Sequence, residues 1–99
     1  MITNKKISLN SFIVQGQENV VSDMDGEKVM MSIHNGKYYN LGGIGGEIWE
    51  LINELISVNQ LVNVLMSRYM IEEAECQEQV LSFLNHLYAE GLILVGDKN

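Results

Sequence analysis

Two turn dipeptides, Asp25-Gly26 and Asn35-Gly36, stand either side of Lys28-Val29-Met30-Met31-Ser32-Ile33, and this spacing constrains the fold more than any other feature. Asp-Gly and Asn-Gly accept positive φ at both central positions, so each predicts a type I′ hairpin turn. The flanking runs Val20–Met24 and Lys37–Leu41 then become the outer strands of a three-stranded antiparallel meander. Leu41 leads straight into Gly42-Gly43-Ile44-Gly45-Gly46, a glycine-rich break that continues as an apolar helix. In the simplest meander the last strand lies at the sheet edge, where its unpaired N–H and C=O groups are open to an extended peptide. Period-2 alternation puts Tyr39 and Leu41 on one face, expected inward, and Tyr38 and Asn40 on the other.

Three helices follow. Ile44, Ile48, Leu51, Ile52 and Leu55 repeat at helical spacing, with Trp49 flanking the stripe. Ser57-Val58-Asn59-Gln60 is a capping box, in which Ser57 bonds the backbone of Gln60 and the Gln60 side chain reaches back. It opens a second helix with Val58, Leu61, Val62, Leu65 and Tyr69 on one face. The third begins at Glu72, Glu73 and Glu75, which suit the positive end of a helix dipole. Its apolar positions are Cys76, Val80, Phe83, Leu84, Leu87 and Tyr88, and Gly91 is a natural stop. Leu92 to Val95 reads as a short buried strand or packed tail. Near the N-terminus, Leu9, Phe12, Ile13 and Val14 fit an extra strand or a packed arm. The chain is therefore expected to be α+β and winged helix-turn-helix-like: a three-stranded meander, three helices and a short C-terminal extended segment. Residues 1–19 form an arm, 20–95 the domain and 96–99 a tail.

The chain has 99 residues, 46% of them apolar and set in periodic blocks, which suits one folded domain. No apolar run is long enough for a membrane span or a signal peptide, so a cytoplasmic location is expected. Thirteen acidic against six basic residues give a net charge of −7, which repels phosphate backbones and attracts basic partners.

Candidate chemical sites mostly have a plainer structural reading. The glycine run fails the G-x-G-x-x-G spacing at Ile48, and no Gly-Lys-Ser/Thr follows; close packing of a helix start against the sheet explains it better. His34, His86 and Cys76 lack the pairwise spacing of metal ligands, so no metal is expected. Cys76 lies on an apolar stripe among glutamates, which would raise a thiol pKa, and reads as a small core residue. Glu72, Glu73, Glu75 and Glu78 are a solvated face, an attractor for a basic partner segment, or both. DNA binding through a winged helix needs cations on its third helix, yet Glu72 to Glu90 holds no Lys or Arg. No catalytic constellation and no cofactor motif is present, so a binding protein is expected rather than an enzyme.

An acidic turn, V-M-M-S-I, N-G-K-Y-Y-N-L, a small-residue stretch, I-W-E-L-I and a helix ending in E-G-L-I follow one another in an order that resembles the PqqD-like family. These peptide-recognition domains bind the leaders of ribosomally made, modified peptides. The family pattern is roughly Leu-Asn-x-x-Gly/Ala-x-x-Ile/Val-Trp. Leu41, Gly45, Ile48 and Trp49 match it, while Gly42 replaces the asparagine, a loss of an N-cap side chain worth a few tenths of a kcal/mol. The resemblance covers Val20 to Val95. A free-standing domain of this size is similar to the leader-binding proteins of lasso-peptide clusters. That resemblance implies a precursor leader added as a strand to Lys37, Tyr38, Tyr39, Asn40 and Leu41. Its side chains would enter a groove lined by Val80, Phe83, Leu84 and Leu87, with Glu72, Glu73 and Glu78 meeting basic leader residues. The implied partners are a cysteine-protease-like leader peptidase and a macrocycle-forming enzyme. The alternatives are a winged-helix DNA-binding regulator and a pyrroloquinoline-quinone-type peptide chaperone for a radical enzyme.

Overall fold

The first hairpin turns as its sequence predicts. In the computed structural model, which describes residues 7–97, Asp25 and Gly26 take φ of +56° and +82°. Strand β2 (Asn19–Met24) pairs antiparallel with β3 (Glu27–Ser32), from Met24 opposite Glu27 to Asn19 opposite Ser32. The second turn differs from expectation. Gly36 takes φ +74° but Asn35 does not have positive φ, so this is not a two-residue type I′ turn. Ser32 N–H donates to the Lys37 carbonyl at 2.9 Å and Gly36 N–H to the Ser32 carbonyl at 2.7 Å, across a wider loop. Asn35 Oδ1 accepts the Lys37 N–H at 2.8 Å, and Ser32 Oγ the Asn35 N–H at 3.3 Å. Local side chains thus satisfy the loop amides, which removes the pressure for the tighter turn. Strand β4 (Tyr38–Leu41) then pairs with β3, Tyr39 opposite Met30 and Asn40 opposite Val29.

Helix α1 (Gly42–Leu51) starts where β4 stops. Gly42 takes φ +71°, a left-handed conformation that glycine and asparagine adopt most readily, and its N–H donates to Asn40 Oδ1 at 2.9 Å. Gly42 is therefore not an N-cap missing its side chain, since the cap position is Leu41. Ile48, Trp49 and Ile52 are buried. Leu55, expected on the same stripe, is 63% exposed because the helix ends at Leu51.

A second sheet closes the molecule from the other side. β1 (Ser11–Gln15) is its central strand, flanked by the two-residue β5 (Ile56–Ser57) and by β6 (Ile93–Asp97), both antiparallel to it. Ile13 at its centre is fully buried. Residues 1–6 of the expected arm and 98–99 of the tail lie outside the described residues. Helix α2 (Val58–Arg68) carries the expected capping box: Gln60 N–H donates to Ser57 Oγ and Ser57 N–H to Gln60 Oε1, each at 3.1 Å. Helix α3 (Glu73–Ala89) ends with Gly91 N–H donating to the Tyr88 carbonyl and Leu92 N–H to that of Leu87, a Schellman closure that aims the chain into β6. Leu61, Leu65, Leu84, Leu87 and Leu92 join Ile13, Met30 and Ile48 in one core between the sheets and the helices. Among the described residues no helix is long and apolar enough to cross a membrane.

Candidate functional site

The hydrogen-bond phase of β3 against β4 decides which groups the edge leaves free. Ser32 N–H donates to the Lys37 carbonyl, and antiparallel pairing alternates bonded with non-bonded residues. Tyr39, two residues on and opposite Met30, therefore spends its N–H and C=O on β3. The N–H and C=O of Tyr38 and Asn40 point away from it. No backbone hydrogen bond outside the sheet ladder takes these four groups among the described residues. The N-terminal strand does not cover them, because β1 sits in the other sheet. The opposite border, β2, is also open, but it carries the exposed Asp23, and charge on an edge discourages pairing. On β4 the Asn40 side chain is held back by Gly42 N–H and by Glu27, to which its Nδ2 donates at 3.1 Å.

Beside this border lies an apolar pocket of about 190 Å³, lined by Leu41, Ile44, Gly45, Ile48, Leu65, Ile71, Cys76, Gln79, Val80 and Phe83. Ile48, Leu65, Cys76 and Val80 are almost fully buried and form its floor, while Ile44, Ile71, Gln79 and Phe83 are more exposed and form its rim. Gly45 sets the width. A Cβ there would stand 2.9 Å from Phe83 Cζ and 3.5 Å from Leu41 Cβ, so the strand end, α1 and α3 meet over a residue with no side chain. An apolar cavity of about 150 Å³ accommodates a benzene-sized guest. This pocket therefore suits one large aliphatic or aromatic side chain.

Val80 and Phe83, two of the four expected groove residues of α3, line the pocket. Leu84 and Leu87 do not: at 0% and 1% exposure they belong to the core. The helix turn explains the split, since Leu84 points about 100° around α3 from Phe83. Glu72, Glu73 and Glu78 are exposed. Glu78 lies about 140° from Phe83, on the solvent side rather than beside the pocket. On the strand, Leu41 is buried and Tyr39 half-buried on the inner face, while Tyr38 (72% exposed) and Asn40 face outward, and Lys37 precedes the strand. The inner face reaches α3 through Tyr39, whose O–H donates to Glu90 Oε1 at 2.8 Å; Lys37 Nζ stands 3.7 Å from the same oxygen.

Several functional positions were absent from the sequence reading. In the sequence Ile44 reads only as part of the apolar stripe of the first helix, and Ile71, Gln79 and Glu90 carry no assigned role. Only the helix phase hinted at them: Gln79 and Glu90 fall within about 40° of Phe83. The pocket wall between α1 and α2 is braced by Glu47. It accepts the Tyr69 O–H at 2.5 Å and pairs with Arg68. These partners, the tyrosine hydrogen bond foremost, hold its carboxyl below the usual range. Burial pushes the Cys76 thiol up, and its sulfur lies 3.9 Å from the Val62 carbonyl. Among the described residues no three metal-ligating side chains converge. Lys28, Lys37 and Arg68 each stand within ion-pair distance of a carboxylate, so among the described residues no free cationic patch faces solvent.

Solved structures share this architecture. One, TbiB1 in complex with the TbiA(beta) leader peptide, aligns with a TM-score of 0.73 at 22% identity, covering 81% of this chain and 93% of that one. Another, a lasso peptide synthetase B1 complexed with the leader peptide, aligns with a TM-score of 0.73 at 20% identity, covering 83% and 96%. No curated protein matches the chain. The family model described as coenzyme PQQ synthesis protein D (PqqD) matches residues 27–93, more than half of the chain and the whole span from β3 to the start of β6. The chain belongs to the PqqD family.

Proposed function

We propose that this protein is a non-catalytic leader-binding component of lasso-peptide maturation, which captures a precursor by strand addition and presents it to its processing enzymes. The observation that carries this reading is the free border of β4 lying directly beside an apolar pocket. The likeness to two proteins solved with leader peptides supports lasso maturation over pyrroloquinoline-quinone chemistry. The absence of cations on α3 argues against a DNA-binding winged helix.

The hydrogen-bond phase of β4 supports one pairing pattern for a bound leader. An antiparallel leader strand would exchange bonds with Tyr38 and Asn40, and its residues opposite them would share their outward face. Residues opposite Leu41 and Tyr39 would face inward, and the one opposite Leu41 comes first in the leader. An apolar side chain there enters the pocket. Four backbone bonds contribute about 2–6 kcal/mol at 0.5–1.5 each, and one buried anchor about 1.5–3 kcal/mol. Association costs at least about 4 kcal/mol, so backbone pairing alone holds the peptide weakly and the pocket decides which leader stays.

The recognition domain assigned to residues 20–95 takes in β1 as the centre of its second sheet, and Gly96 and Asp97 continue β6 opposite β1 instead of beginning a tail. The outer face of the meander carries Val20, Met24, Val29, Met31 and Tyr38 around one shallow depression, and offers an apolar surface to a leader peptidase or macrocycle-forming enzyme in the cytoplasm. Hydrogen exchange tests the central claim. With synthetic peptides covering the N-terminal halves of short reading frames that flank this gene, the amides of Tyr38 and Asn40 gain protection on binding, while that of Tyr39 is protected throughout. A tight-binding peptide that leaves Tyr38 and Asn40 exchanging freely would refute strand addition.

A further inference from the structure

About two turns along α3 from the pocket, outside its lining, stands an acidic residue with an unused oxygen. Glu90 caps α3 and lies seven residues from Phe83, about 20° around the helix, so it shares the pocket's face. Its Oε1 accepts the Tyr39 O–H at 2.8 Å, and Lys37 Nζ approaches to 3.7 Å. Tyr39 is steadied in turn by Asn35, whose Nδ2 donates to the phenol oxygen at 3.0 Å. Among the described residues no hydrogen bond engages Oε2. The Tyr39 hydrogen bond, and then Lys37, hold the carboxyl below its usual range, so it is ionised at neutral pH. Lys37 is 65% exposed and at 3.7 Å is a loose partner, whereas the Glu90 side chain is only 28% exposed.

We propose that Glu90 and Tyr39 form a second subsite that selects a lysine or arginine in the bound peptide, two residues after the apolar side chain that fills the pocket. The proposal rests on the strand-addition reading and on its register. The peptide residue opposite Tyr39 forms a non-hydrogen-bonded pair with it, the closer of the two pair types, with its side chain on the inner face. A long aliphatic stem there lies along the Tyr39 ring and carries its cationic head to Glu90. An acidic side chain is repelled. An apolar one covers a partly buried carboxylate without giving it a donor, which is unfavourable. Lys37 already shows the preference of this corner for a cation, and a bound peptide supplies a better-placed one.

The test is a selection of random twelve-residue peptides by messenger-RNA display against immobilised wild-type protein, Glu90→Gln, Glu90→Lys and Tyr38→Pro, with melting curves confirming that each is folded. Glu90→Gln keeps an oxygen to accept the Tyr39 hydroxyl and removes only the charge. Wild type is expected to enrich Lys or Arg two positions after a large apolar residue, by about fivefold over Glu90→Gln, the range of a half-exposed ion pair. Glu90→Lys is expected to favour Asp or Glu at that position. Equal cation frequencies there for wild type and Glu90→Gln overturn the subsite while leaving strand addition standing. If wild type enriches no peptide family, or Tyr38→Pro enriches the same one, strand addition itself fails and the subsite with it.

Discussion

A proline at position 38 should weaken peptide capture while leaving the fold intact, whereas a proline one residue later should damage the fold itself. The Tyr38 N–H points to the open border, so Tyr38→Pro removes no bond to β3; proline is tolerated on an edge strand in this orientation. The folded state loses up to about 1 kcal/mol of strand preference. A chain stiffened in the unfolded state returns about 0.4–1 kcal/mol. The melting temperature should therefore move by less than about 8 °C, at 4–8 °C per kcal/mol for a domain of this size. Binding suffers more. The pyrrolidine ring removes one donor and leaves a peptide carbonyl without its partner, at about 1–3 kcal/mol, which is about 5- to 150-fold in Kd. Tyr39 is opposite Met30, which is fully buried. Tyr39→Pro orphans the Met30 carbonyl and removes the hydroxyl bond to Glu90, so about 3 kcal/mol or more is expected, a drop beyond about 12 °C. Circular dichroism melts and fluorescence anisotropy with a selected peptide separate the two. If Tyr38→Pro binds that peptide as wild type does, the argument from the hydrogen-bond phase is wrong.

Two further predictions use the same geometry. Leu84→Ala, in the core, should destabilise by about 2–5 kcal/mol, whereas Phe83→Ala, at the pocket rim, should cost about 1–2 kcal/mol yet weaken binding more at temperatures where both are folded; equal stability losses by urea titration would contradict the separation of core and rim. Glu47 has a depressed pKa, so its contribution is present above the ordinary value of 4.5 and is lost as pH falls through the lower folded value. Glu47→Gln should thus be less stable than wild type at pH 7, by under about 1 kcal/mol because Arg68 is half exposed and screened, and the gap should narrow as pH falls below 4.5; a gap constant from neutral pH down to strong acid would remove Glu47 as its source.

Local chemistry wrote much of this molecule into its sequence. Asp25-Gly26, the alternation through Tyr38 to Leu41, the Ser57–Gln60 capping box and the stop at Gly91 are each decided within a few residues, and each stands in the structure as read. The second turn departed from its dipeptide because Ser32 and Asn35 satisfied the loop by another route. Most of α3's apolar stripe was legible as apolar, but its division was not. Leu84 and Phe83 are adjacent and equally hydrophobic, and only the packing of β4 and α1 determines that one is core and the other a pocket wall.

What the sequence determined alone was the meander with its last strand and the three helices after it, since turns, alternation and caps act over short range. What only the tertiary structure decided was which four backbone groups stay free, how wide Gly45 leaves the pocket, and that Glu90 faces the strand from 51 residues away. Those depend on relative placement of distant segments, which burial of a shared core fixes and no local preference encodes.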